Sequence, residues 1–144
     1  MSDPLSGPSR IDGAISILVC DDNAAVREML CIILDESEGL RVVGQATDGN
    51  EAVAEATRLQ PDVIVLDLAM PRRSGLDALP ELIQAAPDAK VVVLTGFAGS
   101  AVAESVFALG AARLIEKGTT PSAIVATILE VACGLAVGSD MPAP

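Results

Sequence analysis

The sequence predicts an α/β fold, a doubly wound five-stranded parallel sheet with five helices. Two observations support this prediction. Short runs of β-branched and aliphatic residues recur along the chain, and stretches with helical periodicity separate them. Strands that alternate with helices require right-handed crossovers, which place helices on both faces of a parallel sheet. The expected strand order is 2-1-3-4-5, with any ligand site at the carboxyl ends of the strands.

The first strand is predicted to end with the run 17–20, and the helix after it is the clearest element of the chain. Its apolar residues fall at i, i+3, i+4, i+7 and i+8, which forms the stripe of an amphipathic helix. These residues are Val26, Met29, Leu30, Ile33 and Leu34. Asn23 or Asp22 can cap the helix, and Gly39 lies beyond its end.

The second strand is predicted at 41–46, and a helix over about 49–59 follows it. Asp48 lies three residues before Glu51, a spacing that imitates a capping box at the start of this helix. Pro61 is expected to stop the helix, because proline cannot supply the next backbone N–H group.

The third strand ends at Asp67, and a third helix is predicted after Ser74. If that helix begins at Gly75, Pro80 interrupts its hydrogen-bond ladder. We therefore expect either a kink in this helix or a later start.

The last two units repeat the alternation of strand and helix. The fourth strand ends at Leu94, a helix covers about 99–109, and a short fifth strand spans about 112–116. The pair 120–121, Thr and Pro, provides an N-cap followed by proline at the first helical position. The fifth helix is predicted to continue to about residue 133.

The domain organisation is predicted to be a flexible tail at 1–13, one compact domain at 14–134 and a flexible tail at 135–144. The 144 residues allow one domain with a real core, and not two. No apolar run can span a bilayer and no signal peptide is recognisable, so no membrane partner and a cytoplasmic location are expected.

Charge and cysteine content exclude other classes of site. A net charge of −11 argues against direct nucleic-acid binding, because a duplex binder needs a basic patch to neutralise phosphates. The chain has no His and no CxxC pair, which argues against zinc. Cys20, Cys31 and Cys133 lie in apolar segments and are interpreted as buried structural thiols.

Polar and charged side chains stand directly after four of the predicted strands. They are Asp21 and Asp22 after the first, Asp67 after the third, Thr95 after the fourth and Lys117 after the fifth. Because parallel strands end at one edge of a sheet, these side chains are expected to meet there. Three carboxylates, a hydroxyl and an ammonium group together indicate a site for a divalent cation and phosphate.

Mg²⁺ prefers oxygen ligands and is usually held by one or two carboxylates with water and phosphate. Asp22 and Asp67 are the candidate direct ligands, Asp21 is expected to act through water, and the backbone carbonyl of Ala69 is a further candidate ligand. Lys117 and the cation would together relieve the repulsion among the carboxylates.

Asp67 is the candidate nucleophile, because a carboxylate can attack a phosphoryl group and form an acyl phosphate. Lys117, the Thr95 hydroxyl and Mg²⁺ would neutralise the oxygens of the transferred group. The alternative interpretation is that the strand-end aspartates only cap the following helices.

Several of these residues together carry a family resemblance. They are Asp21-Asp22, Asp67-Leu68-Ala69-Met70-Pro71, Ser74-Gly75, Thr95, Gly110-Ala111 and Lys117. Over about residues 15–133 the chain resembles the receiver domain of two-component response regulators. The stretches 43–49 and 61–67 are most similar to receivers that precede a helix-turn-helix output domain, and no such domain follows within these 144 residues.

The resemblance implies a flavodoxin-like fold and a phosphorylation switch rather than an enzyme. Asp67 would accept a phosphoryl group from a histidine kinase or phosphotransfer protein with Mg²⁺ as cofactor, with at most self-catalysed transfer and autodephosphorylation. Thr95 would then turn towards the phosphate. The face formed by the fourth helix, fifth strand and fifth helix would change its preference for a downstream protein or for a second copy of the chain.

The chain departs from the family pattern at three positions. Leu114 replaces the aromatic residue usual three positions before the lysine, and Ala69 stands where polar residues are common. Phe97 lies two residues after Thr95, where it either packs in the loop or substitutes for the missing aromatic.

Two alternative functions follow from the same residues. A degenerate receiver would act as a constitutive binding or dimerisation module, an alternative that Leu114 and the low charge of the fourth helix support. A haloacid-dehalogenase-like phosphatase would need a second Asp two residues after Asp67, and Ala69 occupies that position.

Overall fold

The computed structural model describes residues 13–96 and 99–134, and within them five strands alternate with five helices. The elements are β1 (Ile15–Cys20), α1 (Ala24–Glu36), β2 (Leu40–Ala46), α2 (Gly49–Leu59), β3 (Val63–Asp67), α3 (Gly75–Ala85), β4 (Lys90–Thr95), α4 (Ser100–Ala108), β5 (Arg113–Glu116) and α5 (Pro121–Cys133). The predicted tails fall, except for Gly13, outside the described residues, so those domain limits stay a prediction.

All four strand pairs are parallel, and the strand order is β2-β1-β3-β4-β5. Every residue of β1 and β3 is buried, which explains why these strands read as continuous apolar runs rather than as alternating ones. The predicted α/β fold class and strand order are confirmed.

The sheet divides the hydrophobic core into two clusters, because successive strand residues point to opposite faces. The first, here called the α1–α5 cluster, contains Ile17, Val19, Val63, Val65, Leu30, Leu34 and Ile128. The second, the α2–α3–α4 cluster, contains Leu18, Cys20, Ile64, Leu66, Ala52, Leu79 and Val106. Aliphatic residues make up most of both clusters.

Four helices begin at residues whose side chains accept a backbone N–H hydrogen bond from the first turn. These N-caps are Asn23, Asp48, Ser74 and Thr120. Each satisfies one of the N–H groups that a helix leaves unpaired at its start. Of the two candidates for α1, the structure selects Asn23.

The start of α3 differs from one of the two expectations. The helix begins at Gly75 and runs through Pro80 to Ala85, so of the two alternatives the later start is excluded. The Ser74 cap and the hydrogen bond from Gly75 N–H to the Leu68 carbonyl, 2.9 Å, fix the first turn before the proline is reached. The loss of one ladder bond at Pro80 is tolerated because Leu79 and its buried neighbours hold the helix on the sheet.

Two interpretations of side-chain burial also need correction. Met29 belongs to the predicted stripe of α1 but is 45% exposed, whereas Leu30 and Leu34 are fully buried. Cys20 is buried as predicted and Cys31 is half-buried, but Cys133 is exposed on the last turn of α5. Helical periodicity gives the direction of an apolar face and not the width that neighbouring elements cover.

None of the helices in 13–96 and 99–134 has the length and apolar character that a bilayer span requires.

Candidate functional site

Three carboxylates meet at the carboxyl edge of the sheet. Asp21 follows β1 and is fully buried, Asp22 beside it is exposed, and Asp67 ends β3 and is 2% exposed. Each offers one oxygen atom, and these three atoms lie within 4.8 Å of one another. The structure therefore brings together the three aspartates that the sequence singled out.

Lys117 lies between the two buried carboxylates. Its Nζ atom is 3.2 Å from Asp67 Oδ1 and 3.3 Å from Asp21 Oδ2. The backbone N–H of Lys117 donates to the backbone carbonyl of Thr95 at 2.7 Å, and this bond joins the end of β5 to the end of β4. Burial alone would lower the pKa of Lys117, but the charges of Asp67 and Asp21 outweigh it and raise that pKa above its ordinary value.

Asp67 combines a charge with a poorly solvated position. Burial, and then the charge of Asp21, raise the pKa of Asp67, while the Ala69 N–H and Lys117 act in the opposite direction. Oδ1 accepts the Ala69 N–H at 3.2 Å and faces Lys117. Oδ2 is buried and accepts no hydrogen bond from the described part of the chain. A buried acceptor without a donor is costly, which indicates that this atom meets a ligand.

A divalent cation fits this donor set. Asp21 Oδ2 also lacks a hydrogen bond within the described residues, although the Lys117 ammonium lies 3.3 Å from it. Two buried carboxylate oxygens and the exposed carboxylate of Asp22 offer the hard, anionic ligands that Mg²⁺ takes.

Asp21 is held by contacts that the sequence did not reveal. Its Oδ1 accepts the Asn23 N–H at 2.9 Å, and its backbone carbonyl accepts a bond from the Arg27 guanidinium at 2.8 Å. Arg27 also donates from Nε to Gln45 on β2. Arg27 lies one turn beyond the cap of α1. Helical periodicity marks it only as a solvent-facing residue, so the sequence pattern did not indicate its contacts with Asp21 and Gln45.

The remaining predicted residues also lie around the site. Thr95 is buried at the end of β4, and Leu114 in β5 is partly buried against the α2–α3–α4 cluster. Ala69 contributes its N–H to Asp67, and its carbonyl as a metal ligand stays a prediction. Phe97, which the sequence analysis considered as packing or as an aromatic substitute, lies outside the described residues.

The comparisons with known proteins agree with this geometry. Residues 17–129 match the family described as the response regulator receiver domain. The chain belongs to this family. The chemotaxis protein CheY of Thermotoga maritima is 35% identical over 115 residues, a match that covers 80% of this chain and 95% of CheY. The response regulator GacA of Pseudomonas aeruginosa is 38% identical, over 83% of this chain and 56% of GacA.

Among solved structures, a LuxR-family two-component response regulator from Aurantimonas sp. SI85-9A1 superposes with a TM-score of 0.80 and 30% identity, covering 85% of this chain and 87% of that one. The chain is thus a receiver domain, a phosphorylation-switched signalling module of a class that in general is not enzymatic. It spans nearly the whole of CheY but only about half of GacA, so activities of the larger regulators are not assigned to it.

Proposed function

We propose that Asp67 is the phosphoacceptor of this receiver domain and that it takes a phosphoryl group from a histidine kinase or phosphotransfer protein. The observation that carries this proposal is the buried Asp67 Oδ2, which has no hydrogen-bond donor among the residues that the structure describes and lies beside Asp21 and close to Lys117. Attack by this carboxylate on phosphorus forms an acyl phosphate, and the bond from phosphorus to the donor imidazole breaks.

Each neighbour has a separate role in that transfer. Asp21, Asp22, Asp67 and the Ala69 carbonyl would hold Mg²⁺, which when bound neutralises the phosphoryl oxygens. Lys117 is already placed at Asp67 Oδ1 and needs little movement to meet a phosphoryl oxygen. The Thr95 hydroxyl at the end of the adjacent strand would contact a second oxygen.

The phosphodonor must cover the surface around this pocket in order to reach Asp67. On α1, Met29 and Ile32 are 45% and 57% exposed. A cavity of about 220 Å³ lies between α1 and the segment after β5, and Lys117 is among its lining residues. An apolar donor surface would bury these side chains while it delivers the phosphoryl group. A cytoplasmic location accompanies this function.

The output surface is the face formed by α4, β5 and α5. Glu104 is the only charged residue of α4, and Phe107 and Leu109 at its end are 46% and 37% exposed. Such a surface suits an apolar partner, either a downstream protein or a second copy of the chain.

A constitutive binding module is not favoured, because it would have no use for a buried carboxylate pair with a lysine between them.

Replacement of a metal ligand tests the cation site. Asp22→Ala is expected to weaken Mg²⁺ binding about tenfold or more, because the variant removes a carboxylate that lies within reach of the other two. Isothermal titration calorimetry measures the affinity, with the exposed turn residue Asp88→Ala as the matched control. An affinity equal to that of the control would place the cation elsewhere.

Thr95→Ala tests the switch separately from the chemistry. We expect Asp67 to remain modifiable in this variant, while the response to a beryllofluoride phosphoryl mimic no longer spreads to residues 99–109. A ligand shifts a conformational equilibrium only by its differential affinity for the two states, and the Thr95 hydroxyl is the proposed contact that makes this difference. Chemical-shift mapping of wild type and variant measures the spread. Wild-type shifts that stay within the pocket would argue against a switch through α4.

A further inference from the structure

We propose that the ion pair between Arg72 and Asp48 positions the loop that follows Asp67 and so sets the rate at which Asp67 is phosphorylated. Arg72 would be a positioning residue, because its ion pair is with Asp48 and not with a group of the proposed phosphorylation site. This inference rests on the function proposed above for Asp67 and adds a residue pair outside the pocket that affects the rate of the same reaction.

The backbone of Arg72 is in a conformation that residues other than glycine rarely adopt. Its φ angle is +61°, in the left-handed region, where within the described residues only Gln60 and glycines otherwise lie. The side chain offsets this strain with a close contact. Both Nε and one terminal nitrogen of Arg72 lie 2.7 Å from Asp48 Oδ2.

Asp48 is a fixed anchor rather than a mobile surface group. Its side chain is only 8% exposed, and Oδ1 accepts the Glu51 N–H at 2.8 Å as the cap of α2. The pKa of Asp48 is lowered, first by that N–H and then by Arg72, so the carboxylate stays charged. An exposed pair between two mobile side chains contributes little, but here one partner is held in place.

A second contact joins the same loop to α2. The Gly49 N–H donates to the Arg73 carbonyl at 2.8 Å, and a Cβ atom at Gly49 would press against that carbonyl. The two elements therefore meet backbone to backbone, beside the Arg72 side chain.

The first residues of this loop, directly after Asp67, lie in the site. The Gly75 N–H donates to the Leu68 carbonyl at 2.9 Å and closes the loop, and the Ala69 N–H donates to Asp67 Oδ1. A closed loop with its tip anchored on α2 leaves Ala69 little freedom beside Asp67. Release of Arg72 would let the tip relax and would shift the Ala69 N–H and carbonyl relative to the carboxylate, where small displacements slow transfer strongly.

Two substitutions at position 72 separate positioning from stability. Arg72→Ala removes the ion pair and keeps the strained φ, whereas Arg72→Gly removes the pair and also the strain. We expect both variants to be phosphorylated by acetyl phosphate with Mg²⁺ about tenfold more slowly than wild type at saturating donor. Thermal melting should show a loss of stability for Arg72→Ala and a smaller loss, or none, for Arg72→Gly.

The measurement is the rate of phosphoryl incorporation against acetyl phosphate concentration, read by Phos-tag electrophoresis, alongside a melting curve for each variant. Arg58→Ala, which removes an exposed pair with Glu55 on α2, is the control and should match wild type in rate. Wild-type rates in both position-72 variants would overturn the inference and leave Asp67 as phosphoacceptor. A wild-type rate in Arg72→Gly alone would assign the effect to strain and would also overturn it. If wild type itself takes up no phosphoryl group, the proposed function fails and the inference fails with it.

Discussion

Asp67→Asn is expected to abolish phosphoryl incorporation from acetyl phosphate. The amide has nearly the same shape as the carboxylate and can still accept the Ala69 N–H, but it lacks the anionic oxygen that attacks phosphorus. Intact mass and Phos-tag electrophoresis after incubation with acetyl phosphate and Mg²⁺ measure the effect. The loss should be complete, because Asp67 is the acceptor itself and not one of several contributors.

Asp88→Asn is the matched control for this experiment, since Asp88 is an exposed turn residue. It should be phosphorylated as wild type is. Retention of wild-type labelling in Asp67→Asn would disprove the assignment, and a peptide map would then show which carboxylate accepts the group.

The same variant is expected to be more stable than wild type in the absence of Mg²⁺. The pKa of Asp67 is raised by burial and by Asp21, so charging this group costs more in the folded state than in the unfolded state. That cost is absent below the ordinary carboxyl pKa and grows as the pH rises through the raised value. The melting temperature of Asp67→Asn should therefore exceed that of wild type by a few degrees at neutral pH, and the difference should vanish in acid.

Lys117→Met is expected to impair both phosphorylation and stability. Without the ammonium group, Asp21 and Asp67 face each other with no opposite charge, although Lys117 lies 3.2 to 3.3 Å from both in the wild type. We expect the free energy of unfolding to fall by about 1–3 kcal/mol, less than for a fully buried pair, because the lysine side chain is 30% exposed. The phosphorylation rate should fall roughly a hundredfold, as when a preorganised donor to a transition state is removed.

Mg²⁺ should return part of the lost stability, since the cation also supplies positive charge to the two carboxylates. Urea denaturation with and without Mg²⁺ measures this, and Lys90→Met at the exposed start of β4 is the control. Equal destabilisation of the Lys90 and Lys117 variants would show that the lysine does not hold the carboxylates together.

Most of the fold could be predicted because local signals coincide with the elements. Asn23, Asp48, Ser74 and Thr120 each mark a helix start, and continuous apolar runs mark the buried strands. The clustering of the three aspartates with Lys117 also followed from the sequence, because parallel strands end at one edge of the sheet. These predictions need only periodicity, capping and the direction of the strands.

The features that the sequence analysis missed, left open or predicted wrongly depend on distant neighbours. The Arg72–Asp48 pair joins loops 24 positions apart, and no periodicity reports such a contact. The exposure of Cys133 depends on what covers the end of α5, and the start of α3 depends on the closure of a loop by Leu68 and Gly75. Each is a property of tertiary packing, which overrides local preference.

The division of the core by the sheet also affects how the sequence of this chain can evolve. Among the described residues, the α1–α5 cluster, which includes Leu34, and the α2–α3–α4 cluster, which includes Leu82, are separate and share no member. Substitutions far apart and without shared partners have nearly additive effects. A volume lost on one side must therefore be compensated on that same side. In consequence, the two halves of the core can accumulate substitutions independently of each other.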